Sequence, residues 1–322
     1  MSAGSGSPGL RGVAAACGSA FLFGLSAPLS KVLLDTTSPW MLAALLYLGA
    51  GLGLAAYRLV TRAPRVRLPG SDLRWLSGAV LAGGVVAPVL LMLGISEMPA
   101  TGASLLLNSE AVFTVLLAWL LFGEHVGARL VLGMAAIVAG AVLVTVPGSA
   151  DLGAGWAPWA VVAACLCWAV DNNLTRHVSA TDPTWIAMTK GLVAGTTNLV
   201  LALLLGAQVP VPSTIVLGLL LGFGAFGVSL TLFVVALRHL GTARTGAYFS
   251  VAPFIGAVIA VALGEPVTGA LIAAGTLMGF GVWLHLSEHH EHEHVHSALG
   301  VGQAAVWHTH AHYPDSEHRH PH

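Results

Sequence analysis

Charge is what this chain has least of. Its 322 residues include 13 Lys or Arg and 14 Asp or Glu, so that 8% are charged, against about a quarter in a soluble domain. That is too little to cover a water-facing surface, and it excludes an ordinary soluble globular protein. Cysteine is also scarce. Cys17, Cys165 and Cys167 all lie within apolar stretches, and an odd number at that depth argues against a disulfide framework. They read as small apolar core residues. Residues two apart on a helix point to opposite sides, which also argues against Cys165-x-Cys167 as a soft-metal site. No nucleotide-binding loop occurs, and no H-E-x-x-H motif lies within the apolar runs, so neither ATP drive within the chain nor an intramembrane hydrolase is expected. A clean cleavage site after the N-terminal apolar run is missing too. Arg11 precedes that run, and Lys31 and Asp35 follow it. It is too long for a typical signal peptide and reads as a first membrane span.

What the chain has is hydrophobicity, with 56% apolar residues and a mean hydropathy of +0.82. Apolar runs lie near 12–34, 39–60, 73–95, 100–122, 126–146, 156–177, 184–206, 213–237, 242–263 and 267–286. Each is about 20 residues, enough to cross roughly 30 Å of hydrocarbon. Turn chemistry separates them, as at Ser38-Pro39, Pro64 to Gly70, Met98-Pro99, Pro147-Gly148, Asp182-Pro183, Pro210 with Pro212, and Glu265-Pro266. Backbone groups in lipid must be satisfied within the segment, so the spans are helices. The fold class is therefore an all-α integral membrane protein with ten transmembrane helices.

The basic residues set an orientation. Arg58, Arg62, Arg65, Arg67 and Arg74 crowd the second connection, and Arg129, Arg176, Arg238 and Arg244 lie at the fourth, sixth and eighth. With Arg11 and Arg319 they fall on one side, which the positive-inside rule makes cytoplasmic, together with both termini. The expected location is a plasma membrane, as in a bacterial inner membrane.

Two stretches also repeat. Residues 100–124 and 242–265 are both apolar runs closing on a Gly-Glu pair, Gly123-Glu124 and Gly264-Glu265; Thr101 aligns with Thr242, Phe113 with Phe254 and Gly140 with Gly281. Five spans per half is an odd number, so the halves enter the membrane in opposite senses, the inverted-repeat arrangement of secondary transporters. The expected organisation is a cytoplasmic N-terminus over 1–11, five-helix repeats over 12–146 and 156–286, and a tail over 287–322.

The pattern from Asn108-Ser109-Glu110 to Gly123-Glu124, and its second copy from Ala252-Pro253-Phe254 to Gly264-Glu265-Pro266, resembles the signature of the EamA-type drug/metabolite transporter superfamily. The resemblance covers about 12–286, both five-helix halves. It implies ten helices in inverted repeats and export of amino acids or other small metabolites, with no cofactor required. One departure is Ala111, where the family pattern has Pro; its absence is expected to remove a local kink. The implied partners are the lipid bilayer, a small-molecule solute and a second copy of the chain in a homodimer. No nucleic acid is expected.

Ionisable groups at bilayer depth are costly and mark functional candidates. Glu110 is central in the fourth span. Desolvation favours a neutral carboxyl there, which suits proton coupling, though a hydrogen-bonded structural Glu fits equally. Asn108 points about 200° away and shares a face with Ser104. In the sixth span Asp171, Asn172 and Asn173 sit at about the depth of Lys190 in the seventh. The short connection predicts that Asp171 and Lys190 face each other, either as part of a solute path or as an ion pair fixing helix packing. Thr197 and Asn198 continue the Lys190 face. Lys31 and Arg176 read as snorkelling residues, and Glu124 and Glu265 as groups in interfacial water.

After Leu286 the composition changes. His289, His290, His292, His294, His296, His308, His310, His312, His318, His320 and His322 alternate with acids and small residues. Such a tail is expected to be disordered without metal. Its H-x-H spacing suits Zn, Ni, Co or Cu. Three roles fit: part of a metal-export or metal-responsive system, a metal buffer or pH-sensitive region on a metabolite exporter, and a solvated tail with incidental affinity.

Overall fold

A computed structural model describes residues 8–122, 127–145, 155–178, 181–240, 242–286, 290–296 and 306–312. Gly123-Glu124, His289, His318, His320 and His322 lie outside the described residues. Helices α1 (Pro8–Gly24) and α2 (Ser26–Leu34) form one bent rod, followed by α3 (Pro39–Val60). Helices α4 (Gly70–Ala79) and α5 (Ala87–Glu97) flank a π-turn over Val80–Val86. Next come α6 (Ala100–Leu106), α7 (Ser109–Phe122), α8 (Ala128–Thr145), α9 (Ala157–Thr175) and α10 (Pro183–Leu204). Helices α11 (Pro212–Gly222) and α12 (Ser229–Leu240) flank a second π-turn over Phe223–Val228. Helices α13 (Thr242–Phe249), α14 (Ala252–Ala262) and α15 (Gly269–Leu286) complete the bundle.

Among the described residues, seven helical stretches are long and apolar enough to cross a membrane: Leu10–Leu34, Pro39–Val60, Gly70–Glu97, Ala100–Leu121, Ala128–Thr145, Pro183–Leu204 and Pro212–Ala236. The α9 helix has 19 residues, but Asp171, Asn172 and Asn173 dilute its hydropathy. The α13–α14 run is interrupted, and α15 is apolar over a shorter stretch, Gly269–Leu284. Leu59, Val60, Leu120, Leu121, Leu204, Val258 and Trp283 are exposed on the outside of the bundle. Such a belt is a liability in water and the expected surface in lipid.

Local chemistry fixes the element ends. Ser38 accepts a 3.3 Å bond from Met41 N–H, with Pro39 in the first turn of α3. Asp182 accepts from Thr184 and Trp185 N–H, with Pro183 opening α10. Caps of this kind contribute about 0.5–2 kcal/mol each. Burial alone would raise the Asp182 carboxyl, but the Arg58 guanidinium and the Thr184 hydroxyl and N–H outweigh it and hold it below the ordinary carboxylate range. Arg58 also donates to Pro64 O at 2.8 Å. One end of the bundle is thus tied between the connection after α3 and the connection before α10.

The opposite end is tied differently. Lys31 donates to Ile95 O at 2.8 Å and Ser96 O at 3.0 Å. It caps the C-terminus of α5, where free carbonyls favour a cation, rather than snorkelling. Gly264 adopts φ +105°, and Glu265 N–H closes back on Ala260 O at 3.1 Å, the left-handed helix ending that glycine permits. That turn sends the Glu265 carboxylate onto Ala100 N–H at 2.6 Å and Thr101 N–H at 2.7 Å. Glu265 satisfies the first turn of α6 instead of standing in interfacial water. The Gly-Glu pair is a helix stop followed by a cap on another helix.

The bundle is built by close backbone approach, the usual basis of packing in lipid. Helix α3 lies between α10 and α11, α1 against α12, α5 against α9, α8 against α15, and α6 against α14. At Gly222 a Cβ would run into the Leu46 carbonyl, and at Gly49 into that of Leu219. The Gly49/Gly53 and Gly218/Gly222 pairs therefore seat α3 and α11 on each other.

The tail differs from expectation. Strands β1 (His290–His296) and β2 (Val306–His312) pair as an antiparallel ribbon, where the composition predicts disorder. The physical reason is that alternating His with other residues is a period-two pattern, the pattern of a strand.

Candidate functional site

The polar residues of the bundle gather around α9. Asp171 is buried at 6% exposure. It accepts Lys190 Nζ through both oxygens, at 2.5 and 2.6 Å, and the Thr175 hydroxyl at 2.9 Å. The side chains are 8% and 17% exposed, so this is a buried ion pair. Gly83 makes room for it, since a Cβ at that position would strike the Asp171 carboxylate.

Gly83 belongs to the first π-turn, where the usual i→i−4 bonding is interrupted and carbonyls are released for other donors. Tyr47 OH donates to Gly83 O at 2.6 Å, and Trp168 Nε1 donates to the same oxygen at 2.9 Å. Asn198, fully buried on α10, donates to Gly84 O at 3.3 Å, and its Oδ1 has no partner among the described protein atoms.

The other side of α9 faces the break between α6 and α7. Asn172 Nδ2 donates to Glu110 Oε1 at 2.8 Å and approaches Thr114 Oγ1 at 3.5 Å. Asn173 Nδ2 donates to Thr114 O at 3.3 Å and to Ala169 O at 2.9 Å. The fourth apolar run is thus two helices joined at Leu107-Asn108. Ala111 was expected to remove a kink, yet the chain breaks there without a proline. The Leu105 carbonyl accepts both the Asn108 N–H at 3.1 Å and Asn108 Nδ2 at 2.9 Å, and Cys165 Sγ lies 3.5 Å from Leu106 O. The side-chain amide adds a second donor where the helix is interrupted. The α13–α14 run breaks two residues beyond the aligned place, at Ser250-Val251.

Of the residues singled out from sequence, Asp171 meets Lys190, Glu110 meets Asn172, and Asn198 meets the π-turn. Asn108 stands apart, its Nδ2 4.0 Å from Met278 Sδ on α15. Thr197 is exposed and bonds back to Val193 O, so it does not extend the Lys190 face. Sequence reasoning missed Tyr47, Trp168, Gly83 and Thr175. Gly83-Gly84 inside an apolar run was the available signal. It also missed a run of aromatic rings leading away from the polar cluster. Tyr47 stands 5.8 Å from Phe226, Phe226 5.8 Å from Phe23, Phe23 5.2 Å from Phe249, and Phe249 5.0 Å from Phe233. Chemically the site offers a fixed ion pair, a carboxyl held by an amide, released backbone carbonyls and an aromatic wall. Among the described residues no three His, Cys, Asp or Glu side chains gather in reach of one metal ion.

Comparison with known proteins gives this arrangement a context. Residues 10–146 and 155–287 each match the model of the EamA-like transporter family. A protein described as an uncharacterized transporter, from Methanothermobacter thermautotrophicus, is 30% identical over 282 residues, which are 81% of this chain and 82% of that one. A protein described as a probable terminal-alkyne amino-acid exporter, from Streptantibioticus cattleyicolor, is 31% identical over 244 residues, 72% of this chain and 78% of that one. A solved crystal structure shares the fold, with a TM-score of 0.63 at 20% identity, over 88% of this chain and 96% of the other.

Proposed function

The chain belongs to the EamA-like transporter family, and from that premise we propose that it is a secondary-active exporter of a small amino-acid-like metabolite, working by alternating access. Ten spans in two inverted five-helix repeats, with both termini cytoplasmic, complete this reading. The helix packing supports it. If each half contributes five spans, the first packs on the eighth as the third packs on the sixth, and the second on the seventh, the fourth on the ninth and the fifth on the tenth pair with their own counterparts. The interrupted fourth and ninth spans and the π-turns of the third and eighth fit the discontinuous helices that line transporter sites.

The observation that carries the proposal is the Asp171–Lys190 pair beside the released carbonyl of Gly83. A zwitterionic solute presents the same two charges and can exchange with such a pair, its carboxylate toward Lys190 and its ammonium toward Asp171 and Glu110. The name of the Streptantibioticus relative points to the same solute class.

The experiment is efflux and counterflow of labelled amino acids in proteoliposomes containing the purified protein. Glu110→Gln retains an acceptor for Asn172 and loses the exchangeable proton. It should keep counterflow and lose uphill efflux driven by a proton gradient. Gradient-driven efflux at the wild-type rate in that variant would remove Glu110 from coupling. A wild-type protein that moves no amino acid by either assay would remove the solute class. Deletion of 287–322 should leave flux intact.

A further inference from the structure

The rings beside the ion pair are placed as a lining rather than as packing. Phe23 on α1, Tyr47 on α3, Phe226 in the second π-turn and Phe249 on α13 come together from four helical stretches. A cluster built that way lies inside the bundle, yet all four residues are only partly buried. Accessible surface at such a place borders internal space. Gly246, one turn before Phe249, agrees with this, since a Cβ there would enter open space. Three of the rings also ride on helix interruptions. Phe23 precedes the α1–α2 bend, where Pro28 has no N–H to donate to the Gly24 carbonyl four residues earlier. Phe226 lies within its π-turn, and Phe249 ends α13. Each is near the middle of its apolar run, as Tyr47 is in Pro39–Val60. Irregular backbone at that depth is tolerated where it is buried in protein or lines a cavity, and interrupted helices near the bilayer midplane are where transporters hold their solutes. Tyr47 joins the rings to the charges. Its hydroxyl is on Gly83 O, beside Asp171, and its ring stands 5.8 Å from that of Phe226.

Resting on the exporter reading above, we propose that Phe23, Phe226 and Phe249 form the side-chain subsite of the solute path, and that it takes an amino acid with an aromatic side chain whose charged end meets Asp171 and Lys190. The rings meet at 34°, 47° and 79°, with centroids 5.2 to 5.8 Å apart, so they present edges as well as faces. A planar guest ring meets such a surface in offset or edge-to-face contact. That favours it over an aliphatic side chain of equal area by about two- to tenfold per contact. A cluster that only packs helices has no such preference.

The test is counterflow in proteoliposomes containing the full chain. Labelled L-phenylalanine, L-leucine and L-alanine are each exchanged against their own unlabelled form, which gives a half-saturating concentration for each. Wild type should take phenylalanine at a lower concentration than leucine, by about twofold or more. Phe226→Leu keeps an apolar side chain and removes one ring, and should lower the phenylalanine-over-leucine preference about two- to tenfold. Gly246→Leu fills the open space and should weaken phenylalanine more than alanine. Phe280→Leu removes a ring exposed on the outside of the bundle and should leave the preference at its wild-type value. Equal losses for phenylalanine and leucine in Phe226→Leu would make the rings a packing cluster and overturn the subsite. A wild type that takes leucine as readily as phenylalanine would overturn it too, with the exporter reading left standing. Exchange of none of the three amino acids would remove the exporter reading and the subsite with it.

Discussion

The ion pair of Asp171 and Lys190 is the most consequential contact in the bundle, and its two possible roles separate experimentally. Lys190→Met keeps the apolar stem and deletes the ammonium. Asp171 is then left in a site where its side chain is 8% exposed, with only the Thr175 hydroxyl still donating to it. Breaking one side of a buried pair costs about 3–5 kcal/mol, because the remaining charge is stranded. The retained hydroxyl puts the loss near the lower figure, about 3 kcal/mol, roughly a hundredfold in the folded fraction. Asp171→Asn strands Lys190 in turn, at a similar cost. The double variant buries no charge, and removing both members of such a pair is often neutral or stabilising. The assay is thermal unfolding of the four proteins in detergent, followed by flux in proteoliposomes. Both single variants should lose stability, and the double variant should recover it while remaining inactive. Wild-type flux in the double variant would make the pair a packing device and refute its place in the solute path. Wild-type stability in both single variants would refute the buried-pair argument itself.

Two further outcomes follow from the bundle ends. Glu265→Gln leaves one acceptor oxygen for the two N–H donors of Ala100 and Thr101 and should cost about 1–2 kcal/mol, since Glu265 is half-buried and its charge-assisted bonds are partly screened; an unchanged melting temperature would refute the cap. The Asp182 carboxyl is held below its ordinary range in the folded protein, so the stability it contributes is fully present above its unfolded value and is lost as pH falls through the lowered folded value. The stability gap between wild type and Asp182→Asn should accordingly be constant near neutrality and narrow below about pH 4, and a gap unchanged on acidification would count against the Arg58–Asp182 link.

What the sequence made legible was whatever depends on neighbours in the chain. Ser38-Pro39 and Asp182-Pro183 announce helix starts because capping is local chemistry. The meeting of Asp171 and Lys190 followed from depth arithmetic across one short connection, because rise per residue is fixed. What stayed hidden depends on distant partners. Glu265 looks like a span-end acid until α6, 165 residues earlier in the chain, is placed beside it. Tyr47 and Trp168 look like ordinary apolar-run aromatics until a π-turn offers them one carbonyl. The break at Leu107-Asn108 needed no proline because Asn108 bonds back to Leu105 O, and an amide that does this reads in sequence as any polar residue. The paired strands of the tail were missed because composition was weighed over the period-two pattern of its histidines.

The two halves that match the family model share their irregularities and differ in what fills them. Each has a π-turn, Val80–Val86 and Phe223–Val228, and each has an interrupted helix, at Leu107-Asn108 and at Ser250-Val251. In the first half the π-turn receives Tyr47, Trp168 and Asn198, and the interrupted helix carries Glu110. In the second the π-turn supplies Phe226 and the interruption supplies Phe249, with Val251 at the position aligned to Glu110. A π-turn or an interruption releases backbone groups wherever it occurs, so a duplicated scaffold inherits two equivalent sets of opportunities. Filling both with charge would bury two carboxylates that repel each other and compete for one ammonium. Filling one with charge and the other with rings avoids that cost and leaves the two halves chemically unlike. On the exporter reading proposed above, the charged set would meet a headgroup and the rings an apolar side chain. An amino-acid-like solute has those two ends, so the divergence of the halves carries more information about the cargo than their resemblance does.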